Sequence, residues 1–251
     1  MVSYDQVKQL CDSWQTAGQS IDIETVSAYE TMQELTPKMK ELWELKATRF
    51  QKETSKSAEE LYQEKANLFA EFGRIISIGI SAFFWEEENQ RLCLKSTVLR
   101  EEVDETTLLN QFIQIIQKHK AGNQLLLCAH NGKEFDYPYL CRRMLLLGLP
   151  IPTILRIHGK KPWEIGLLDT MDMWKFGDYR YYTSLELLMT IFGIQSSKEE
   201  IAGKDIGRVY YQEQDIQKIA RYCEKDAVAL AQLYLRMNGY EPIPEEYINP
   251  N

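Results

Sequence analysis

Three stretches of this chain carry acidic side chains at spacings that can do chemistry. The first is Ile21-Asp22-Ile23-Glu24-Thr25-Val26. On a strand, Asp22 and Glu24 point to one face while Ile21 and Ile23 point into apolar packing on the other. Two carboxylates side by side repel, and a cation between them removes the repulsion. Solvated acids at a strand end are the bland alternative. The second stretch runs from His130 to Leu140 (His-Asn-Gly-Lys-Glu-Phe-Asp-Tyr-Pro-Tyr-Leu), after a buried strand and at the start of a helix. Asp136 falls at the expected N-cap, where aspartate is favoured for reasons unrelated to catalysis. Asn131-Gly132 alone marks a turn. The third is Arg221-Tyr222-Cys223-Glu224-Lys225-Asp226-Ala227, inside the last helix. Tyr222 and Asp226 are one helical turn apart and share a face. Leu230 and Leu233 continue that face, so it is the buried one. A carboxylate there is costly unless paired or metal-bound. A simple Tyr–Asp hydrogen bond is the competing account. Glu224 and Lys225 point elsewhere and read as solvated.

Together, four carboxylates and a tyrosine converge from two strand ends and a helix. That set meets the requirement of two-metal phosphodiester hydrolysis, in which paired ions clamp the attacking and leaving oxygens. Such ions, Mg2+ or Mn2+, take carboxylate and water oxygens rather than imidazole or thiolate. The rest of the composition agrees. The three histidines (His119, His130, His158) and five cysteines (Cys11, Cys93, Cys128, Cys141, Cys223) are scattered. No C-x-x-C pair occurs, which argues against a zinc site or a disulfide framework. The net charge of -8 gives no global basic field for duplex DNA, so contact with nucleic acid must be local or aided by bound cations.

The elements that must position these residues form a mixed α/β pattern within one domain spanning residues 1–251. Tyr4 to Trp14 reads as a short helix, and 15–20 as polar and turn-like. The polar run before Asp22 implies that any strand there is short or irregular. Residues 27–70 read as a helical excursion. Thr36-Pro37 starts one helix and the Ser57-to-Glu60 capping box starts another, with a turn over 51–57. Gly73 to Phe84 is the strongest strand signal. A turn over 86–90 follows it, then a returning strand to Leu99. Thr106 to His119 is an amphipathic helix, and 124–129 a buried strand. Helix 137–147, strand 165–168, helix 184–192 and helix 215–237 complete the chain. The first three strands should run antiparallel and the later ones parallel. The Pro-rich tail from Glu241 reads as loose. No apolar run is long enough for a membrane span and no secretory leader is visible, so a cytoplasmic protein without membrane contact is expected.

Asp22-Ile23-Glu24-Thr25, Asn131 with Phe135-Asp136, and Tyr222-x-x-x-Asp226 resemble the three motifs of the DEDD 3′–5′ exonucleases, in the tyrosine subclass. More closely, the chain resembles stand-alone predicted exonucleases related to the proofreading domain of family B DNA polymerases. Asp22–Val26, Gly73–Ile80, His130–Leu140, Leu168–Trp174, Ser184–Ile194 and Tyr222–Asp226 carry the likeness. It implies an RNase-H-like sheet flanked by helices, with the helical insertion after the first strand. It also implies metal-dependent 3′–5′ hydrolysis of single-stranded ends; the motifs do not separate DNA from RNA, and DNA, with DNA repair as the setting, is the expected substrate. No polymerase palm or fingers sequence follows, so proofreading in cis is not expected. An exoribonuclease, or a catalytically silent binding module on the same fold, are the alternatives.

The roles implied by the resemblance are as follows. Asp22 bridges two ions. Glu24 and Asp226 bind the ion that activates water, Asp136 holds the second, and Tyr222 orients the water. Asn131 and Phe135 touch the terminal nucleotide, with core packing as the competing account for Phe135. Arg142 and Arg143 read as a solvated face, and Asp169 and Asp172 as structural acids. Arg156, His158, Lys160 and Lys161 form a basic loop, either a strand-tracking contact or plainly solvated.

Overall fold

The computed structural model describes residues 18–118, 125–161, 164–178, 180, 182–194 and 201–249. The helix expected over Tyr4 to Trp14 lies outside them. β1 (Gly18–Ser27) is central in a five-stranded sheet of order β3-β2-β1-β4-β5. β2 (Gly73–Glu86) and β3 (Arg91–Arg100) form an antiparallel hairpin, and β2 pairs antiparallel with β1. β4 (Leu126–Ala129) runs parallel to β1, and β5 (Leu167–Asp169) parallel to β4.

The two faces of β1 differ as the alternation requires. Ile21 and Ile23 enter the main core with Ile78, Ile80 and Leu127. That core is closed by α3 (Glu105–Lys118), through Leu108 and Phe112, and by α4 (Asp136–Leu146), through Leu140 and Met144. The opposite face is covered by the longest helix, α7 (Ile216–Met237), which lies across β1, β2 and β3. Asp215 caps it, its side chain accepting from Lys218 N at 2.9 Å.

The excursion between β1 and β2 holds α1 (Pro37–Ala47) and α2 (Ala58–Lys65). The expected signals operate: Thr36 accepts from Met39 N, and the Ser57–Glu60 box is reciprocal. The excursion has its own core around Trp43, Leu61, Tyr62 and Phe72. Leu42 and Leu45 are exposed, so the buried stripe of α1 is narrower than their spacing predicts. Two shorter helices between β5 and α7 are α5 (Thr170–Lys175) and α6 (Leu185–Phe192).

Three expectations need correction. Residues 18–20 are not a turn: they are regular strand, bonded to β2 and β4, with Gln19 and Ser20 buried. Backbone pairing on both sides holds a polar segment where an apolar one was expected. The tail is not loose either. Gln232 clamps Ile243 through both amide atoms (2.7 and 2.8 Å), Ile243 is buried, and Asn249 N donates to Leu94 O. Nor is Arg143 solvated. It forms a bidentate pair with buried Glu105 (2.9 and 2.6 Å) and donates to Ala70 O.

Candidate active site

Helix α7 reaches the acidic end of β1 because β2 is bare at Gly79, the residue paired with Asp22. A Cβ at Gly79 would stand 2.3 Å from Cys223 O, so only glycine lets the helix backbone drop onto the sheet there. Cys223 fixes this approach: its Sγ accepts from Gly79 N at 3.0 Å and donates to Asp22 O at 3.4 Å. The residues on either side of that contact point, Tyr222 and Asp226, therefore meet Asp22 and Glu24. Ligand atoms of Asp22, Glu24 and Cys223 lie within 4.8 Å of one another.

Asp136 arrives from the other side of β1. It is not the N-cap but the first residue of α4, following Phe135. Parallel pairing of β4 with β1 stops at Ser20. Beyond it, Asp136 Oδ1 accepts from Ile23 N at 3.2 Å, so a buried carboxylate takes over as the backbone's partner. Asn131 sits in the left-handed region (φ 59°), which asparagine tolerates. Asp169 secures this turn: Oδ1 accepts from Asn131 N (2.9 Å) and Met171 N (2.9 Å), and Oδ2 from Lys133 N (3.0 Å). Asp169 is structural, as expected, and Asp172 pairs with Lys133. Phe135 is half-buried against the main core, its ring 5.3 Å from that of Tyr139. The basic loop of Arg156, His158 and Lys161 is exposed.

The electrostatics show how costly this convergence is without a cation. Burial, then repulsion from Glu24, Asp226 and Asp136, holds Asp22 far above the ordinary aspartate range. Burial, then Asp226 and Asp136, does the same to Glu24. Asp136 is pushed up to about 7, mainly by burial. Asp22 Oδ2 is buried with no hydrogen-bond partner among the described residues. An orphaned carboxylate oxygen amid three further carboxylates fits a hard divalent cation. Burial, then Asp226 and Glu24, holds the Tyr222 phenol far above its ordinary value, and its hydroxyl bonds to Asp226. Tyr222 therefore stays protonated.

The structure brings Asp22, Glu24, Asp136, Tyr222 and Asp226 together, with Asn131 and Phe135 on the turn leading to Asp136. Sequence reasoning missed Gly79 and Cys223. The signal for Gly79 was a lone glycine inside an otherwise branched apolar strand.

These features define an α/β fold whose central strand and covering helix share an acidic cleft. Residues 65–243 match the family of predicted 3′–5′ exonucleases related to the exonuclease domain of PolB, and the chain belongs to that family. The matched stretch includes Asp136, Tyr222 and Asp226, while Asp22 and Glu24 precede it. The structure is similar to that of the family B DNA polymerase from the hyperthermophilic archaeon Pyrobaculum calidifontis. That match has a TM-score of 0.56 and 14% identity, over 88% of this chain and 24% of the polymerase. The chain thus spans about a quarter of that protein's length, and the fold is the RNase-H-like one. Among the described residues, no helix is long and apolar enough to cross a membrane.

Proposed function

We propose that the chain is a metal-dependent 3′–5′ exonuclease that hydrolyses single-stranded DNA ends and releases nucleoside 5′-monophosphates. One observation carries the reading: four carboxylates from three separate elements converge where Asp22 Oδ2 is buried without a partner among the described residues. Asp22, Glu24, Asp136 and Asp226 would hold two Mg2+ or Mn2+ ions, Asp22 shared between them. When bound, the ions supply charge neutralisation for the phosphate and acidification of a water. The protein's own groups do the rest. Asp136, fixed through Ile23 N, keeps its carboxylate in one place. Tyr222, held protonated beside Asp226, orients the attacking water through its hydroxyl oxygen and takes no proton. Water gives up a proton to solvent and attacks the terminal phosphorus, the P–O bond to the 3′-oxygen breaks, and that oxygen leaves and takes a proton from solvent. Asn131 and Phe135 flank Asp136 where the terminal nucleotide would rest.

The test is digestion of a 5′-labelled single-stranded DNA oligonucleotide and its RNA twin with Mg2+ or Mn2+, beside Asp226→Ala. A ladder on DNA, absent in the variant, is expected. A ladder on RNA alone would make the chain an exoribonuclease. No ladder on either, with no thermal shift by Mn2+, would leave a silent binding module.

A further inference from the structure

His130, the residue before Asn131, has no part in the chemistry above. Its ring is a clasp. Nε2 lies 2.8 Å from Thr183 O, and Nδ1 lies 2.9 Å from Thr170 Oγ1. A carbonyl oxygen only accepts, so Nε2 carries the proton. Burial lowers the pKa of His130 and keeps it neutral, so Nδ1 accepts from the Thr170 hydroxyl. One imidazole therefore ties both ends of segment 170–183 to the turn that delivers Asp136. Asp169 ties the same turn to the residue just before the segment.

The described part of that segment presents aromatic rings to solvent. Phe176 is 92% exposed, Tyr182 67% and Trp174 36%. Lys175 and Arg180 lie between them in sequence. Trp174 packs edge-on against Phe192, its ring 6.0 Å away, while Phe176 and Tyr182 are the rings left largely to solvent. The Tyr182 ring stands 6.5 Å from His130. Partial burial, then the carboxylates of Asp136 and Asp169, raises its phenol pKa.

We infer that the exposed rings of Phe176 and Tyr182 form a stacking platform for single-stranded nucleic acid, with Tyr182 against the base of the penultimate nucleotide. The inference rests on the exonuclease reading. Asp136 is the carboxylate proposed for the ion on the leaving-oxygen side, and the leaving oxygen belongs to the penultimate nucleotide. Asn131 and Phe135, on the turn itself, are assigned to the terminal nucleotide, and Tyr182, outside that turn against His130, to the one before it. Stacking on aromatics tolerates any base and requires an unpaired strand, so the platform gives the enzyme its selectivity for single-stranded ends.

The test pairs Tyr182→Ala and Tyr182→Phe with oligonucleotides whose penultimate nucleotide is either normal or abasic. On the normal strand, Tyr182→Ala should raise KM about 5- to 150-fold, while Tyr182→Phe stays near wild type. On the abasic strand, wild type and Tyr182→Ala should have the same KM. Equal losses on both strands, or no loss on either, would overturn the platform. A second readout needs no turnover: 2-aminopurine at the penultimate position, bound with Ca2+ in place of Mg2+. Wild type should quench it and Tyr182→Ala should not; equal quenching also overturns the platform. If wild type cleaves neither strand, the exonuclease reading falls and the quench alone decides the platform.

Discussion

Replacing Asp136 with asparagine separates the two accounts of this residue, ion ligand and helix-end acid. Its Oδ1 accepts from Ile23 N, and an amide oxygen in the same place can do so too, so the change removes charge and keeps shape. In the metal-free protein, burial raises Asp136 from an ordinary 3.8 to about 7, although bonds from its own amide and from Ile23 N pull it part of the way back. An acid with a raised folded pKa binds more protons folded than unfolded. Stability is therefore fully present below about pH 4 and is lost as the pH rises through about 7. The gap from 3.8 to 7 sets a ceiling of about 4 kcal/mol above pH 8. The effective dielectric of a hydrated cleft brings the expected cost to about 2 kcal/mol. Asp136→Asn does not carry that cost. Urea unfolding in EDTA should show the variant more stable than wild type by about 2 kcal/mol at pH 8, and by well under half of that at pH 4.5. Adding Mn2+ should reverse the order, because the ions stabilise only the folded wild type. A variant destabilised by the same amount at both pH values would refute the reasoning. Asp136 would then be an acid that the positive helix end favours.

Tyr222→Phe should lower kcat by about 10- to 100-fold while the thermal shift given by Mn2+ is retained; loss of that shift would remove the positioning role. Glu105→Gln leaves Arg143 buried without its counter-charge and should cost about 3 kcal/mol in urea unfolding, an account that fails if the cost is below about 0.5 kcal/mol. Gly79→Ala forces a methyl against Cys223 O and should destabilise the protein by about 1–3 kcal/mol and abolish cleavage by lifting Asp226 from Asp22. Near-wild-type stability and rate would show that α7 does not need its close seat on β2.

How far the fold was legible follows from where each signal acts. The β2–β3 hairpin, the apolar face of α3 and the caps at Thr36 and Ser57 are local, and they formed as read. What escaped depends on distant partners. Gln19 and Ser20 are strand because β2 and β4 bond them from both sides. Ile243 is fixed by Gln232, and Arg143 by a glutamate 38 positions earlier in the chain. Within the cleft, the paired carboxylates on β1 and the Tyr222–Asp226 face could be read from spacing. That Asp136 would reach across to Ile23 N could not, because its local position suits a cap equally well. Nor did any local pattern give His130 a partner.

The most direct test of the central claim is to let the protein act on a single-stranded oligonucleotide in 18O-labelled water and identify the first product by mass. Attack of water on the terminal phosphorus predicts a nucleoside 5′-monophosphate from the 3′ end, carrying one 18O, formed only with added Mg2+ or Mn2+ and not by Asp226→Ala. A nucleoside 3′-monophosphate, release from the 5′ end, or the same product from Asp226→Ala would contradict the account.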